Sequence, residues 1–196
     1  MSITYFGYGS LVNTRTLGEG ASVRAGRLEG WIREWRVVGL TDSGRGICAL
    51  SVAPKPGVTI RGVLVREPED RLPALEAREK RYDKVPAIGG QFRCEQEEQP
   101  GPEDMFLFQS KPGNRDWGSG SNPILQSYID CVLLGFYDFW GEEGIRHFIE
   151  TTRGWHAPVL ADRAAPIYPR AVQAAPEVIE LVDQYLAPLN IRTIPV

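Results

Sequence analysis

Two stretches of this sequence carry residue types that could do chemistry on a small molecule. The first stretch is Tyr5–Leu11. β-Branched and aromatic side chains on alternate faces of Ile3–Phe6 predict a strand that runs into its loop, Gly7-Tyr8-Gly9-Ser10. Glycines at alternate positions let the backbone turn sharply and let its N–H groups approach a ligand. Such a loop suits an anionic or strongly polarised oxygen, although by itself the motif also fits an ordinary tight turn after a strand.

Several other chemistries fit these residues poorly. The loop lacks the third glycine of the dinucleotide fingerprint, and no Gly-Lys-Ser/Thr follows it. Ser10 lacks the Gly-x-Ser-x-Gly elbow of many hydrolases. His147 and His156 are the only histidines and have no partners at ligand-like spacing, so we expect no metal site.

The second stretch is the predicted helix Pro68–Tyr82, which carries a carboxylate on its apolar face. Glu79 shares that face with three side chains at the spacing i, i+3, i+7 and i+10: Leu72, Leu75 and Tyr82. A carboxylate that faces the core is desolvated, which raises its pKa toward the range useful to a general base. Alternatively, Glu79 lies at the edge of the face and pairs with Arg78 or a nearby arginine.

The remaining patterns predict the elements that must position these residues. We predict further strands at Ser22–Leu28, Trp35–Leu40, Ile47–Ala53 and Thr59–Val65, with joints at Glu29-Gly30 and at the turn Pro54–Gly57. A strand pair, Phe92–Glu97 and Met105–Gln109, is expected across Pro100-Gly101-Pro102. Later helices are predicted from Asn122-Pro123 to about Trp140, at Glu142–Thr151 and at Pro176–Leu186, followed by a tail. Strands outnumber helices and the helices cluster late, which favours an α+β fold.

Composition narrows the class of protein. A chain of 196 residues with 42% hydrophobic and 24% charged residues is expected to form one soluble domain. The net charge of −3 gives no basic footprint for nucleic acid. Three well-separated cysteines, of which Cys48 and Cys131 lie in apolar runs, predict reduced core thiols. With no secretory signal pattern and no apolar run long enough for a membrane span, we expect a cytoplasmic protein.

Five segments in order resemble the gamma-glutamylcyclotransferase superfamily, which includes the ChaC-type and gamma-glutamylamine enzymes. The segments are Tyr8-Gly9-Ser10-Leu11, Ala25–Trp31, Gly62–Val65, Leu75–Glu79 and Tyr128–Gly135. The likeness covers roughly residues 3–137 and leaves 138–196 as C-terminal helices and a covering segment. The order and spacing of the five segments support the resemblance more strongly than the short Glu79 motif does alone.

The resemblance implies a small mixed β-barrel flanked by helices, in which the loop and the carboxylate meet in one cavity. By similarity, Glu79 is the acid–base residue, and Tyr8, Gly9, Ser10 and Leu11 hold the gamma-glutamyl group through backbone N–H groups. Tyr128 lines the pocket. The implied reaction is attack of the substrate's α-amine on its own γ-carbonyl to form 5-oxoproline. It requires a small-molecule gamma-glutamyl substrate and no metal or cofactor.

Two departures leave questions open. The ChaC-type enzymes usually show glycine soon after the glutamate, whereas Lys80-Arg81-Tyr82-Asp83 follows here, so the resemblance does not fix which gamma-glutamyl compound is used. The irregular segment Arg153–Pro176 extends past the matched core, and either Arg163 or Arg170 could meet a substrate carboxylate there. A salt-bridged covering loop is the alternative.

A second functional hypothesis is a catalytically silent relative that binds a small acidic ligand or another protein. The expected assembly is a monomer or a weak homodimer.

Overall fold

Two long antiparallel strands, β2 (Ser22–Leu40) and β3 (Gly46–Pro68), carry most of the sheet. The structure is a computed structural model that describes residues 2–95, 101 and 104–196. The N-terminal strand β1 (Ser2–Gly7) pairs antiparallel with the second half of β3. This pairing brings the end of β1, and therefore the glycine loop, to the middle of the β2–β3 pair.

The prediction of four separate strands between residues 22 and 65 was wrong, because each predicted pair is one continuous strand. Glu29 pairs with Thr59 and Trp31 pairs with Pro54, so four residues of β3 (55–58) lie opposite Gly30 alone. Gly30 and Gly57 both have a φ of 81°, which glycine adopts without a steric penalty. The glycine and proline residues therefore mark a bulge in a long bent pair and not a reversal of the chain.

Shorter strands complete a mixed sheet and a small second sheet. They are β4 (Tyr82–Val85), β5 (Phe92–Cys94), β6 (Leu107–Ser110), β7 (Ile124–Leu125), β8 (Thr152–Arg153), β9 (Val159–Leu160) and β10 (Thr193–Ile194). The main sheet has the order β10-β9-β7-β3-β2-β5, and β8 adds to β2 in parallel. β4 and β6 pair antiparallel, and Phe106, just before β6, exchanges backbone hydrogen bonds with β1. Within the described residues the end strands β5 and β10 do not pair with each other, so the sheet is curved but open.

The predicted pairing of Phe92–Glu97 with Met105–Gln109 was also wrong. β5 pairs with β2, and β6 pairs with β4. A close approach explains the first pairing, since a Cβ at Gly26 would lie 2.3 Å from the Phe92 ring. Pro100 and Pro102 of the predicted turn and the end of the first predicted strand fall on residues outside the described ones.

In the described part of the chain, three α-helices accompany the sheets: α1 (Leu72–Arg78), α2 (Gln126–Glu150) and α3 (Pro176–Leu186). The first is shorter than predicted, because a 3-10 turn fills its predicted start and Tyr82 belongs to β4. The bounds predicted for α3 are confirmed, whereas the predicted C-terminal tail forms β10.

The second predicted helix begins later than expected but breaks where predicted. The chain before α2 forms a bend at Asn122 and the strand β7, because the carbonyl of Pro123 accepts a hydrogen bond from the Cys48 N–H (2.8 Å) and Ile124 pairs with β3 and β9. Gly141, with a φ of 58°, divides α2 into two helical parts. None of the helices in the described part of the chain combines the length and the apolar character of a membrane span.

The core thiols agree with the prediction. Cys131 on α2 and Cys48 on β3 are both buried, and burial raises the pKa of each to about 12. Each side chain is therefore a neutral packing group near neutral pH.

The covering segment, which we define as Arg153–Pro176, packs onto the body of the protein as predicted. The Trp155 ring lies 5.3 Å from the Trp35 ring, and the Tyr168 ring lies 4.9 Å from the Tyr128 ring. The fully buried Asp162 accepts hydrogen bonds from the backbone and hydroxyl of Ser127 at the start of α2. These contacts fix an otherwise irregular segment on α2.

Arg163 has the structural role that the sequence left as one of two alternatives. Its guanidinium binds Asp130 through two hydrogen bonds (2.8 and 2.9 Å) and Asp183 through two more (2.8 and 2.7 Å). Only 4% of the Asp130 side chain is exposed, compared with 48% for Asp183. The pair with Asp130 therefore joins the covering segment to α2 in a largely desolvated setting.

We expect Arg163→Met to lower the free energy of unfolding by about 2–4 kcal/mol, because it leaves the Asp130 carboxylate buried and unpaired. Asp183→Asn should cost less than about 1 kcal/mol, since that carboxylate is half exposed. Urea unfolding of both variants at pH 7 measures the difference. Equal losses in the two variants would contradict this account of the segment.

Candidate active site

A cavity of about 520 Å³ opens where three segments meet: the turn between β2 and β3, the end of α1 and the covering segment. A recess of about 20 Å³ shares four of its lining residues, namely Ser10, Glu79, Tyr82 and Tyr128. All six site residues predicted from the sequence line one or both spaces: Tyr8, Gly9, Ser10, Leu11, Glu79 and Tyr128. The structure thus brings together a loop and a carboxylate that lie about 70 residues apart in sequence.

The loop after β1 is held from both sides. The Tyr8 hydroxyl donates a hydrogen bond to the Phe108 carbonyl (2.6 Å), and the Tyr8 carbonyl accepts one from Arg33 Nε (2.9 Å). The N–H groups of Gly9, Ser10 and Leu11 donate no hydrogen bond to the backbone of the described chain. The loop therefore presents unused donors beside the recess.

Gly9 lies close to side chains of β3 and α2. A Cβ at this position would lie 3.3 Å from both the Tyr128 hydroxyl and the Leu50 side chain. Because glycine has no Cβ, the recess stays open between the loop and α2.

Arg33 contacts the loop from the protein interior, and the sequence analysis did not single it out. Its side chain is fully buried, with the guanidinium 4.8 Å from the Phe136 ring centre and 4.9 Å from that of Phe148. It also donates hydrogen bonds to the Thr151 hydroxyl (2.8 Å) and the Arg61 carbonyl. Burial lowers the pKa of Arg33 to about 9. The guanidinium remains charged at neutral pH and fixes the Tyr8 carbonyl.

Glu79 satisfies both interpretations that the sequence allowed. It follows the last residue of α1, donates its N–H to the Leu75 carbonyl (2.9 Å) and directs its side chain into the cavity wall. It also pairs with Arg78, whose Nε lies 3.2 Å from Glu79 Oε1, and only 13% of its side chain is exposed. Burial raises the pKa of Glu79, and the positive charges of Arg78 and then Arg170 oppose that rise.

Arg78 connects the carboxylate to the loop, which the sequence analysis missed. Besides its contact with Glu79, it donates hydrogen bonds to the Thr16 carbonyl (2.8 Å), the Thr16 hydroxyl (3.2 Å) and the Ser10 hydroxyl (3.2 Å). Its side chain is 10% exposed. Because one planar guanidinium makes all these contacts, the position of Glu79 relative to Ser10 is fixed. The only sequence signal was its position next to Glu79.

Three tyrosines close the walls of the two spaces. The Tyr82 hydroxyl donates to the Leu50 carbonyl (2.8 Å), and Tyr128 stacks on Tyr168 of the covering segment. Burial raises the pKa of Tyr8, Tyr82 and Tyr128 well above the ordinary value for tyrosine. All three are neutral at physiological pH, so Glu79 is the carboxyl group of the recess wall that can exchange a proton.

The two arginines of the covering segment have different positions. Arg163 is engaged by Asp130 and Asp183 and does not line the cavity, whereas Arg170 lines its mouth. The sequence hypothesis about a substrate carboxylate therefore concerns Arg170 alone.

Neither histidine lines the cavity. The His147 ring accepts a hydrogen bond from the Arg61 N–H (3.0 Å), and burial, followed by nearby arginines, lowers its pKa to about 4. Ser10 consequently has no histidine beside it to act as a base. No group of three His, Cys, Asp or Glu side chains within the described ranges is arranged to hold a metal ion.

The fold is similar to that of a protein described as a gamma-glutamyl cyclotransferase. A structure described as a gamma-glutamyl cyclotransferase superposes with a TM-score of 0.61 over 94% of this chain and 99% of its own, at 14% identity. An uncharacterized protein from Homo sapiens gives a TM-score of 0.54 over 93% and 98%, also at 14% identity. YkqA from Bacillus subtilis gives 0.50 over 78% of this chain and 56% of its own, at 19% identity.

These likenesses confirm the fold that the sequence motifs predicted, a mixed α+β gamma-glutamyl cyclotransferase-like fold. No family model and no curated protein matches the sequence itself. At such low identity the comparison shows the architecture, and the chemistry has to be argued from the cavity.

We expect Glu79→Gln to stabilise the protein at neutral pH. A carboxyl whose pKa is higher in the folded chain than its unfolded value near 4.5 costs stability as the pH rises through the window between the two values. The gain should be about 1.4 kcal/mol for each pH unit by which the folded pKa is raised. It should shrink toward zero as the pH falls below the unfolded value.

Glu76→Gln is the matched control, because Glu76 lies on the same helix with a half-exposed side chain. It should change the free energy of unfolding by less than about 0.5 kcal/mol. Urea unfolding across pH 4 to 8 measures both variants. A Glu79→Gln variant that is less stable than wild type at pH 7.5 would refute the raised pKa.

Proposed function

We propose that this protein is a gamma-glutamyl cyclotransferase, which releases 5-oxoproline and an amine from a gamma-glutamyl compound. The observation that carries the proposal is the placement of the shielded Glu79 carboxylate in the same cavity as the unused N–H groups of Gly9, Ser10 and Leu11. A glutamyl head group is zwitterionic. It needs an anion-binding element for its α-carboxylate or γ-oxygen and an acceptor for its α-ammonium, and this cavity offers both.

In the proposed reaction, Glu79 takes a proton from the substrate's α-ammonium. The freed amine attacks the γ-carbonyl carbon, a C–N bond forms, and the carbonyl oxygen becomes an oxyanion. When the carbonyl re-forms, Glu79 gives its proton to the leaving amine and the bond to that amine breaks. The attacking nitrogen then loses its second proton to the Glu79 carboxylate, which releases it to solvent, so that the lactam nitrogen keeps one hydrogen. Burial raises the pKa of Glu79, which makes its carboxylate a stronger proton acceptor than that of an exposed glutamate, and the protonated carboxyl can then act as the donor.

The loop contributes positioning and electrostatic stabilisation. Ring closure is intramolecular, so holding the glutamyl chain in a folded conformer supplies much of the rate increase. N–H donors near Gly9 and Ser10 are available for the developing oxyanion, and the contacts of Arg78 keep them at a constant distance from Glu79. Tyr128 and Tyr82 contribute neutral walls that exclude water.

The expected result is that wild-type protein releases 5-oxoproline from at least one member of a panel of gamma-glutamyl peptides, amino acids and amines. Glu79→Gln should lower kcat by about 10²- to 10⁴-fold, because it removes the proton acceptor. Chromatographic measurement of 5-oxoproline follows the reaction.

Glu76→Gln again serves as the control and should keep full activity, since it changes the charge of α1 without lining the cavity. Equal turnover by wild type and Glu79→Gln would remove Glu79 from the mechanism. No turnover of any substrate would favour the alternative of a silent relative that binds a small ligand or another protein.

A further inference from the structure

The mouth of the cavity carries an excess of positive charge in a protein whose net charge is negative. The Arg78–Glu79 pair neutralises itself, and the other charged side chains of the lining are Lys80, Arg81, Arg170 and Asp42. Three cations therefore oppose one anion around an opening in a chain of net charge −3. A concentration of one sign of charge at a cleft attracts ligands of the opposite sign.

Arg170, like Lys80, is a member of this group that forms no ion pair among the described residues and is therefore available to a ligand. In the part of the chain that the structure describes, no carboxylate lies within salt-bridge distance of it, in contrast to Arg163 seven residues earlier. A hydrogen bond from the Ala171 N–H to the Tyr168 carbonyl (3.1 Å) closes the turn that carries it. Because the Tyr168 ring packs on Tyr128, that turn is anchored to the wall of the cavity.

The sizes of the two spaces indicate how a bound substrate is oriented. The recess beside Glu79 and the loop has a volume of about 20 Å³, room for little more than one water-sized group. It can take only the reacting end of the glutamyl group, so the rest of the substrate lies in the outer cavity of about 520 Å³. The leaving amine then points toward the mouth, where Arg170 and Lys80 lie.

We propose that the mouth selects gamma-glutamyl compounds whose leaving amine carries a carboxylate, with Arg170 as the specificity-determining residue and Lys80 and Arg81 adding to the attraction. Gamma-glutamyl amino acids and peptides belong to this class, whereas gamma-glutamyl derivatives of simple amines and diamines do not. The proposal rests on the cyclotransferase function proposed above. Arginine suits this task because its planar guanidinium matches a carboxylate in a two-point hydrogen bond.

The field of Arg170 also reaches Glu79, and this effect must be separated from recognition. Its positive charge lowers the pKa of Glu79, so its removal should move the acidic limb of the activity profile to higher pH. The other groups that face Glu79 are Arg78, which stays paired, and the buried tyrosines, which stay neutral. This shift is the same for every substrate, and selectivity measured on the pH plateau reports recognition alone.

The test compares three substrates that differ only at the leaving amine: gamma-glutamylalanine, gamma-glutamylethylamine and gamma-glutamyl-ethylenediamine. We expect wild type to prefer the first. Arg170→Gln should lower kcat/KM for gamma-glutamylalanine by about 3- to 10-fold, while the value for gamma-glutamylethylamine changes less than about twofold. Arg170→Lys should recover part of the preference, and Arg170→Glu should favour the cationic diamine derivative.

Lys55→Gln is the control for general charge removal, because Lys55 is exposed in the bulge of β3 and does not line the cavity. It should leave all three values unchanged. If Arg170→Gln lowers turnover of all three substrates equally on the plateau, or of none, the specificity proposal is overturned while the cyclotransferase function stands. If the wild-type protein turns over none of these three substrates and no other gamma-glutamyl compound, both proposals fail.

Discussion

The continuous pairing of β2 with β3 is the constraint on which the rest of the fold depends. One half of the pair accepts β1 and β5 on its edges, and the other half accepts β7 and β8. The bulge at Gly30 lets a single pair serve both halves, since it bends the strands without ending them. Leu50 on β3 then lines the recess, and its carbonyl accepts a hydrogen bond from the Tyr82 hydroxyl.

Two arginines fix the position of the glycine loop within this framework. From the interior, Arg33 donates a hydrogen bond to the Tyr8 carbonyl of the loop. From α1, Arg78 donates one to the Ser10 hydroxyl. Neutral oxygens satisfy the buried Arg33 guanidinium, and no carboxylate within the described ranges neutralises it. Positive charge therefore lies behind a loop whose residues line the recess, and the low dielectric of the interior strengthens its field there.

The sequence predicts best what short-range patterns determine. Alternation over four residues located β1, and helical spacing placed Glu79 toward the cavity, because both depend on side chains close in sequence. The same local signals could not distinguish a bulge from a turn at Gly30, since that difference depends on a partner strand more than 20 residues away. Strands of two residues, such as β7 and β9, are too short to show any pattern at all.

The roles of the arginines were hidden for a related reason. Arg78 acts through Ser10 and Thr16, which lie more than 60 residues away, and Arg33 acts through Tyr8, 25 residues away. Arg163 and Arg170 lie in one irregular segment, and only the positions of Asp130 and Asp183 separate a structural ion pair from a residue at the cavity mouth. An arginine's function depends on what its long side chain reaches, which local sequence does not specify.

The electrostatics of the recess also bear on the choice between a catalyst and a silent binding module. A module for a purely acidic ligand would lose affinity to a carboxylate in its wall, and replacing Glu79 by a neutral residue would relieve both that repulsion and the cost of burying the charge. A ligand that carries an ammonium beside its carboxylate reverses this balance, because Glu79 and the N–H groups of the loop then bind opposite ends of one head group. Once the ammonium is bound against a carboxyl of raised pKa, proton transfer needs little further rearrangement. The arrangement that best accommodates a glutamyl head group is thus also the one that activates its amine, which favours catalysis over simple binding.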